Sequence, residues 1–288
     1  MFKRYIKLRL ASGISQTTLD SELKCHKALW AFLGVNDPLK ITKSQILKYA
    51  EHITSYTYAD NTKHQRIKGL NSFYSEAVKQ GWLLMSPMAG IRYPKKTETL
   101  PKVLSIEQTK LFLNMPDLTT KNGIRDRTCF ELAYSCGLRA NELLSVTDAM
   151  FSENYTRLRL MRKGNKEVVL PVTRMSAYFL RYYISNVFPI LNKLKQDKLF
   201  ISTTTGKPLW DSSLRAIYAS YGKMIGLKVS THTLRYSICS HLSDEGVDIR
   251  LLQVFMSHDS LETTSRYIKQ NFHKMQAIHK QKHPRENG

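Results

Sequence analysis

Four short stretches in the second half of this chain carry residues whose types and spacing could do chemistry. The first is Cys136-Gly137-Leu138-Arg139-Ala140-Asn141-Glu142-Leu143. Gly137 closes an apolar helical run, which sets Arg139 at a corner between two elements where its guanidinium can reach a ligand. Glu142, three residues on, can orient or neutralise that guanidinium, although an ordinary surface Arg–Glu pair explains the same spacing. The second stretch is Arg162-Lys163-Gly164-Asn165-Lys166, a turn that either projects Lys163 as a cation with a proton to give or is a solvated loop. The third is Thr231-His232-Thr233-Leu234-Arg235. Helical positions three apart lie about 60° apart around the axis, so His232 and Arg235 share a face suited to an anion. Leu234, Ile238 and Leu242 form a separate apolar stripe that would dock this helix, and a solvent-exposed amphipathic face accounts for the pattern equally well. The fourth stretch runs from Ser257-His258 to Arg266-Tyr267, with a histidine at a turn, a Ser/Thr-rich entry and a short helix bearing Tyr267. The chain has 15 tyrosines, so simple half-buried packing competes for Tyr267. Singly, each pattern is ordinary.

The elements that must position these side chains are mostly helices. A helix is expected over about residues 14–34, where Leu19, Leu23, Leu29, Trp30 and Leu33 mark a stripe that ends at Gly34. Others are expected over Lys43–Ile53 and from about Thr62 to Gln80, the latter with Ile67, Leu70, Phe73, Tyr74 and Val78 at helical spacings. Residues 1 to about 90 thus read as a small basic helical bundle. Prolines, a glycine and lysines from Ser86 to Leu104 mark a connector, which divides the chain into 1–90, a basic linker 91–104, and 105–288. Beyond it, helices are expected near Ile106–Asn114 and Gly123–Ser135, and a short strand around Leu143–Thr147. A hairpin follows, with Tyr155–Arg162 and Glu167–Val172 flanking the Lys163 turn. Helices resume from Arg174 to Lys195 and from Asp211 to the end. The fold class is mainly α with a small β-hairpin.

Charge narrows the partner. Forty-four Lys and Arg oppose 23 Asp and Glu, a formal +21. Residues 1–100 hold 16 basic and 7 acidic residues, a net +9, so the excess is not one basic tail. A surface of that sign attracts polyanions at long range, which points to nucleic acid ahead of a membrane surface. No apolar run approaches the roughly 20 residues of a spanning helix, and Lys7 and Arg9 interrupt the first apolar stretch. Four cysteines without a Cys-x-x-Cys pair support neither a metal site nor a disulfide framework, and no nucleotide-type Gly-rich loop is present. A reduced cytoplasmic protein with no metal or other cofactor is expected.

Taken together, the four stretches resemble the tyrosine recombinase (lambda-integrase-like) family in its compact Xer-type and phage-integrase form. GLRANEL is similar to the family's first arginine box, RKGNKE to its hairpin lysine, His232 and Arg235 to its His-x-x-Arg box. His258 and Tyr267 keep its nine-residue spacing before the nucleophile. The resemblance implies Arg139, Lys163, His232, Arg235 and His258 as catalytic, Tyr267 as nucleophile, and Glu142 as a residue behind them. It implies a SAM-like core-DNA-binding bundle followed by a catalytic domain. It also implies cleavage of double-stranded recombination sites through a 3′-phosphotyrosine, with Lys163 as general acid and a Holliday junction in a homotetramer or a paralogue heterotetramer. Two departures stand out: Ser257 where the family usually has Gly, and Ala140-Asn141 after the first arginine. A swivelling topoisomerase shares the constellation, and a catalytically silent architectural DNA-binding protein would share the charge.

Overall fold

A computed structural model describes residues 2–35, 37–95, 97, 102–162 and 166–257. The chain divides into two compact units, Met1–Thr99 and Leu100–Gly288. Lys163, His258, Tyr267 and the helical segments expected beyond residue 257 lie outside the described residues.

The first unit is helical. Helix α1 (Phe2–Ala11) is absent from the sequence expectation, because its basic residues mask the short apolar set Phe2, Tyr5 and Ile6. Tyr5 is buried, and its hydroxyl donates to Glu22 Oε2 at 2.7 Å while Arg9 pairs with the same carboxylate at 2.5 Å. Helix α2 (Gln16–Leu33) starts at Ser15, whose hydroxyl accepts from the Thr18 N–H. Helix α3 (Lys43–Ser55) opens on a reciprocal Thr42–Gln45 capping box, and α4 (Asp60–Lys79) completes the bundle. Leu19, Leu29, Ile46, Ile53, Ile67, Leu70 and Phe73 fill its core.

His26 sits in that core among Phe2, Tyr5, Trp30, Phe73 and Tyr74, and among the described residues neither ring nitrogen makes a well-formed hydrogen bond. Burial pushes its pKa down to about 4. The unfolded chain takes up this proton near the ordinary value while the folded unit resists it. The neutral ring's contribution to stability is therefore complete above about pH 6.5 and is lost as pH falls towards 4, by about 3 kcal/mol. Unfolding midpoints followed by Trp30 and Trp82 fluorescence should drop across that window, and His26→Phe should flatten the drop. An unchanged pH slope in the variant would remove His26 from the account.

The second unit is built around α6 (Lys121–Cys136), which is buried on almost every side. Its charged residues are paired internally: Arg125 with Asp126 at 2.7 Å and Arg127 with Glu131 at 2.8 Å. Helix α5 (Ile106–Asn114) starts at the Ser105–Gln108 capping box. The segment before it is tied down by α11 (Thr231–Asp244), since Leu104 N–H donates to Ser237 Oγ and the Leu104 carbonyl bonds His241 Nε2 at 2.9 Å. The other His241 nitrogen lies 2.7 Å from the Tyr134 hydroxyl.

Where a strand was expected around Leu143–Thr147, the chain instead forms α7 (Ala140–Leu144), and only Thr147 pairs, in a single bridge to Lys198. A run as short as Leu-Leu-Ser-Val fits either period, and the cap at Arg139 and Glu142 decides for helix. The hairpin is present as β1 (Arg157–Arg162) and β2 (Lys166–Pro171), antiparallel, with Arg162 opposite Lys166. Helix α8 (Arg174–Tyr182) passes through a wide turn at Tyr183–Val187 into α9 (Phe188–Leu191), so the 174–195 helix is interrupted and ends early. Helices α10 (Asp211–Met224) and α12 (Ile249–Met256) complete the described elements. Phe112, Phe130, Leu160, Leu180, Tyr218 and Leu234 belong to one core. Among the described residues, no helix is long and apolar enough to cross a membrane.

Candidate active site

The site is assembled from five elements of the second unit. Gly137 ends α6 in the left-handed conformation at φ +57°, and a Cβ there would come within 2.9 Å of the Phe255 ring. Only glycine combines that φ with so close an approach. The turn delivers Arg139 to the N-cap of α7. Its backbone N–H donates to Glu142 Oε2 at 2.9 Å and its Nη1 to Oε1 at 2.8 Å, so one carboxylate both caps the helix and holds the guanidinium. Arg139 Nη2 donates to the Ser257 carbonyl at 3.0 Å.

Arg235 arrives from α11. Its Nη1 and Nη2 donate to the carbonyls of Gly137 and Met256, and Nη1 lies 3.9 Å from Glu142 Oε2. Arg162, the last residue of β1, donates from Nη1 to the Phe255 carbonyl at 2.8 Å and to Ser257 Oγ at 2.7 Å. Its Nε stands 3.3 Å from Glu142 Oε1. Carbonyls at the C-terminus of α12 are a natural acceptor set for cations, because the helix dipole is negative there.

Three guanidiniums therefore surround one carboxylate. Burial alone would raise the pKa of Glu142, but the Arg139 N–H and the charges of Arg162, Arg139 and Arg235 hold it below the ordinary value. Glu142 stays ionised, yet one negative charge against three positive leaves the cluster cationic. The Arg139 side chain is 37% exposed, whereas those of Arg162 and Arg235 are 2% exposed. Arg139 is thus the member open to an incoming anion, with the other two beneath it.

His232 lies in the first turn of α11, its ring stacked on Tyr236 at 5.8 Å, beside a groove of about 320 Å³ also lined by Lys102, Lys228 and Ser230. Desolvation of the ring, then Arg235, Arg215 and Arg139, lower its pKa, so the imidazole is neutral at neutral pH and able to accept a proton. His232 and Arg235, three residues apart on α11, meet different environments. The two differ in depth: His232 is exposed and Arg235 is 2% exposed, which also disposes of the solvent-exposed reading for Arg235. The docking stripe is shifted as well. Leu234 is buried, but Ile238 and Leu242 are only partly so, and Ser237, Cys239, Ser240 and His241 take the buried positions.

Arg139, Glu142 and Arg235 are brought together, with His232 on the helix that carries Arg235. Arg162 is the member that sequence reasoning passed over. A signal existed: β1 alternates exposed and buried, which turns Leu158, Leu160 and Arg162 to the same side. Of the two departures, Ala140-Asn141 simply opens α7. Ser257 adopts the left-handed φ of +44° that glycine would take without strain. Among the described residues no cluster of three His, Cys, Asp or Glu could hold a metal ion.

Residues 102–274 match the model of the phage integrase family, and residues 1–96 match that of the phage integrase SAM-like domain. The tyrosine recombinase XerC of Myxococcus xanthus is 34% identical over 99% of this chain and 88% of its own length. The tyrosine recombinase XerD of Xanthomonas axonopodis pv. citri is 30% identical over 95% of this chain and 93% of its own. Among solved structures, a post-cleavage complex of XerH bound to palindromic difH substrate aligns with a TM-score of 0.69 at 21% identity. That alignment covers 85% of this chain and 74% of the other. A lambda integrase dimer bound to a core site aligns with a TM-score of 0.68 at 18% identity, over 92% and 93% of the two chains.

Proposed function

The chain belongs to the phage integrase family and is a tyrosine site-specific recombinase, and on that premise we propose which of its residues carry the reaction and on what partner. The partner is double-stranded DNA. The observation that supports this best is the cationic cluster of Arg139, Arg162 and Arg235 around Glu142, with one guanidinium exposed. A phosphodiester under attack gathers charge on its non-bridging oxygens, and fixed guanidiniums stabilise that charge without needing to be deprotonated or reorganised.

In the proposed reaction the phenolic oxygen of Tyr267 attacks phosphorus and the bond to the 5′-oxygen breaks. The phenol, with an ordinary pKa of about 10, gives up its proton to His232 or His258. Lys163 protonates the departing 5′-oxygen. The 3′-phosphotyrosine conserves the ester bond, so the 5′-hydroxyl of a second strand reverses the step and reseals the backbone. Residues 1–90 serve as the core-DNA-binding domain, 91–104 as the linker and 105–288 as the catalytic domain. The working assembly is a tetramer on two synapsed sites, of this chain alone or with a paralogue, in the cytoplasm. The relatives described above are recombinases and lend no support to a swivelling topoisomerase.

The test starts from genomic fragments selected by binding to the full chain, cloned as pairs into one plasmid. Excision or inversion confined to matched pairs is the expected result. Relaxation of any supercoiled plasmid, without exchange and without preference for the selected sites, would contradict the proposal.

A further inference from the structure

Arg162 adds its charge to the cationic cluster but is assigned no step of the reaction above, and with a side-chain exposure of 2% it is among the most deeply buried charged side chains of the second unit. Burying a guanidinium is costly unless each N–H finds an acceptor. Its two terminal nitrogens meet three acceptors, the Phe255 carbonyl, Ser257 Oγ and the Glu142 carboxylate, whose Oε2 lies 3.4 Å from Nη2. Nε makes no hydrogen bond among the described residues and is compensated only by the Glu142 charge 3.3 Å away. Ser257 Oγ in turn donates to the Val254 carbonyl at 3.3 Å. The serine hydroxyl is thus used in both directions, as acceptor from Arg162 and as donor to its own helix.

The sequence positions of these groups give the arrangement a purpose. Arg162 immediately precedes Lys163, and Ser257 immediately precedes His258. The hydrogen bond joins the end of β1 to the end of α12, 95 residues away in sequence, at the last described residue before each catalytic position. Ser257 also holds a left-handed φ of +44°, which disfavours any residue with a Cβ. The bond from Arg162 and the bond to Val254 offset that strain.

We infer that Arg162 and Ser257 form a latch that fixes the end of β1, one residue before Lys163, against the end of α12, one residue before His258, with Glu142 as its third anchor. Arg162 is a positioning residue: its guanidinium is occupied by protein acceptors, while the exposed Arg139 faces incoming phosphate. The inference rests on the assignment of Lys163 as general acid. Misplacing a catalytic group by about 1 Å costs about 100-fold in rate.

The test compares single-turnover cleavage of a selected site by the full chain on two substrates, one with the natural 5′-bridging oxygen and one with sulfur there. Sulfur leaves with little need for protonation, so it relieves a defect in the general acid and no other. Arg162→Met should bind DNA with near-normal affinity, cleave the oxygen substrate about 100-fold more slowly, and recover most of that loss on sulfur, as Lys163→Ala should. Arg162→Lys, which keeps the charge but not the planar fork, should recover poorly on oxygen. If Arg162→Met does not fold, Ser257→Ala carries the same comparison by deleting one hydroxyl, with a loss of roughly tenfold. Rescue of Lys163→Ala by sulfur without rescue of Arg162→Met or Ser257→Ala would overturn the latch alone. Absence of rescue for Lys163→Ala would overturn the general-acid assignment and the latch with it. Wild-type cleavage by Arg162→Met would likewise end the inference.

Discussion

Tyr267→Phe should bind its DNA site with nearly unchanged affinity and form no covalent adduct. The substitution removes a single oxygen and retains the ring, so packing around residue 267 has little reason to change. If that oxygen is the nucleophile, no residual pathway remains, because the other groups of the site stabilise charge or move protons and do not themselves attack phosphorus. The loss should therefore be complete at the detection limit and not a graded slowing. Titration of labelled DNA gives the affinity, and denaturing gels of a nicked substrate give the adduct. A phenylalanine variant that still produces an adduct would remove Tyr267 from the mechanism.

Arg139→Ala and Arg235→Ala should each slow cleavage by roughly 100-fold or more, the first because one transition-state donor is worth about 3 kcal/mol and the second because the buried charge beneath that donor is lost. Their effects on the fold should differ. Arg139 is partly exposed, and its removal leaves Glu142 still flanked by Arg162 and Arg235, so stability should change little. Arg235 is buried and donates to the carbonyls of Gly137 and Met256. Deleting it leaves those acceptors dry and the carboxylate less compensated, which should cost about 3–5 kcal/mol of stability as well as rate. Lysine at position 139 should rescue poorly, because an ammonium cannot reproduce the planar fork that donates from Nη1 to Glu142 and from Nη2 to the Ser257 carbonyl while facing a phosphate. Thermal melts and single-turnover rates on the two variants separate these effects. Equal melting temperatures for both, or near-normal cleavage by both, would refute the layered arrangement.

Much of the fold was legible because its boundaries are written in local chemistry. Ser105 with Gln108 marks the start of α5, and the glycines at 34 and 137 mark helix ends at left-handed positions. The hairpin was legible from two short runs, now β1 and β2, on either side of the turn-forming residue types Lys163, Gly164 and Asn165. What escaped did so for identifiable reasons. Helix α1 hides a three-residue apolar stripe under four basic residues. The 143–147 segment is too short for its period to separate helix from strand, and the bond that settles it is the Glu142 carboxylate capping the backbone N–H of Arg139, a residue type seldom read as an N-cap. The depth of Arg235 and Arg162 is invisible locally, because their acceptors lie 98 and 21, or 93 and 95, residues away. A buried arginine looks like a surface arginine until its partners are known. Conversely, Lys163, His258 and Tyr267 were readable only from their order and spacing, since nothing in their immediate neighbours distinguishes a reactive side chain from a solvated one.

The most direct test of the central claim is to identify the atom that holds the DNA. Full-length protein would be incubated in excess chelator with a suicide substrate, a selected site nicked just 3′ of the cleavage point so that the short fragment bearing the new 5′-hydroxyl diffuses away, and the trapped adduct digested for mass spectrometry. The account predicts one modified peptide, containing Tyr267 and joined through its phenolic oxygen to a 3′-phosphate. An adduct at another residue, a linkage to a 5′-phosphate, or cleavage that appears only when a divalent metal is restored would contradict it.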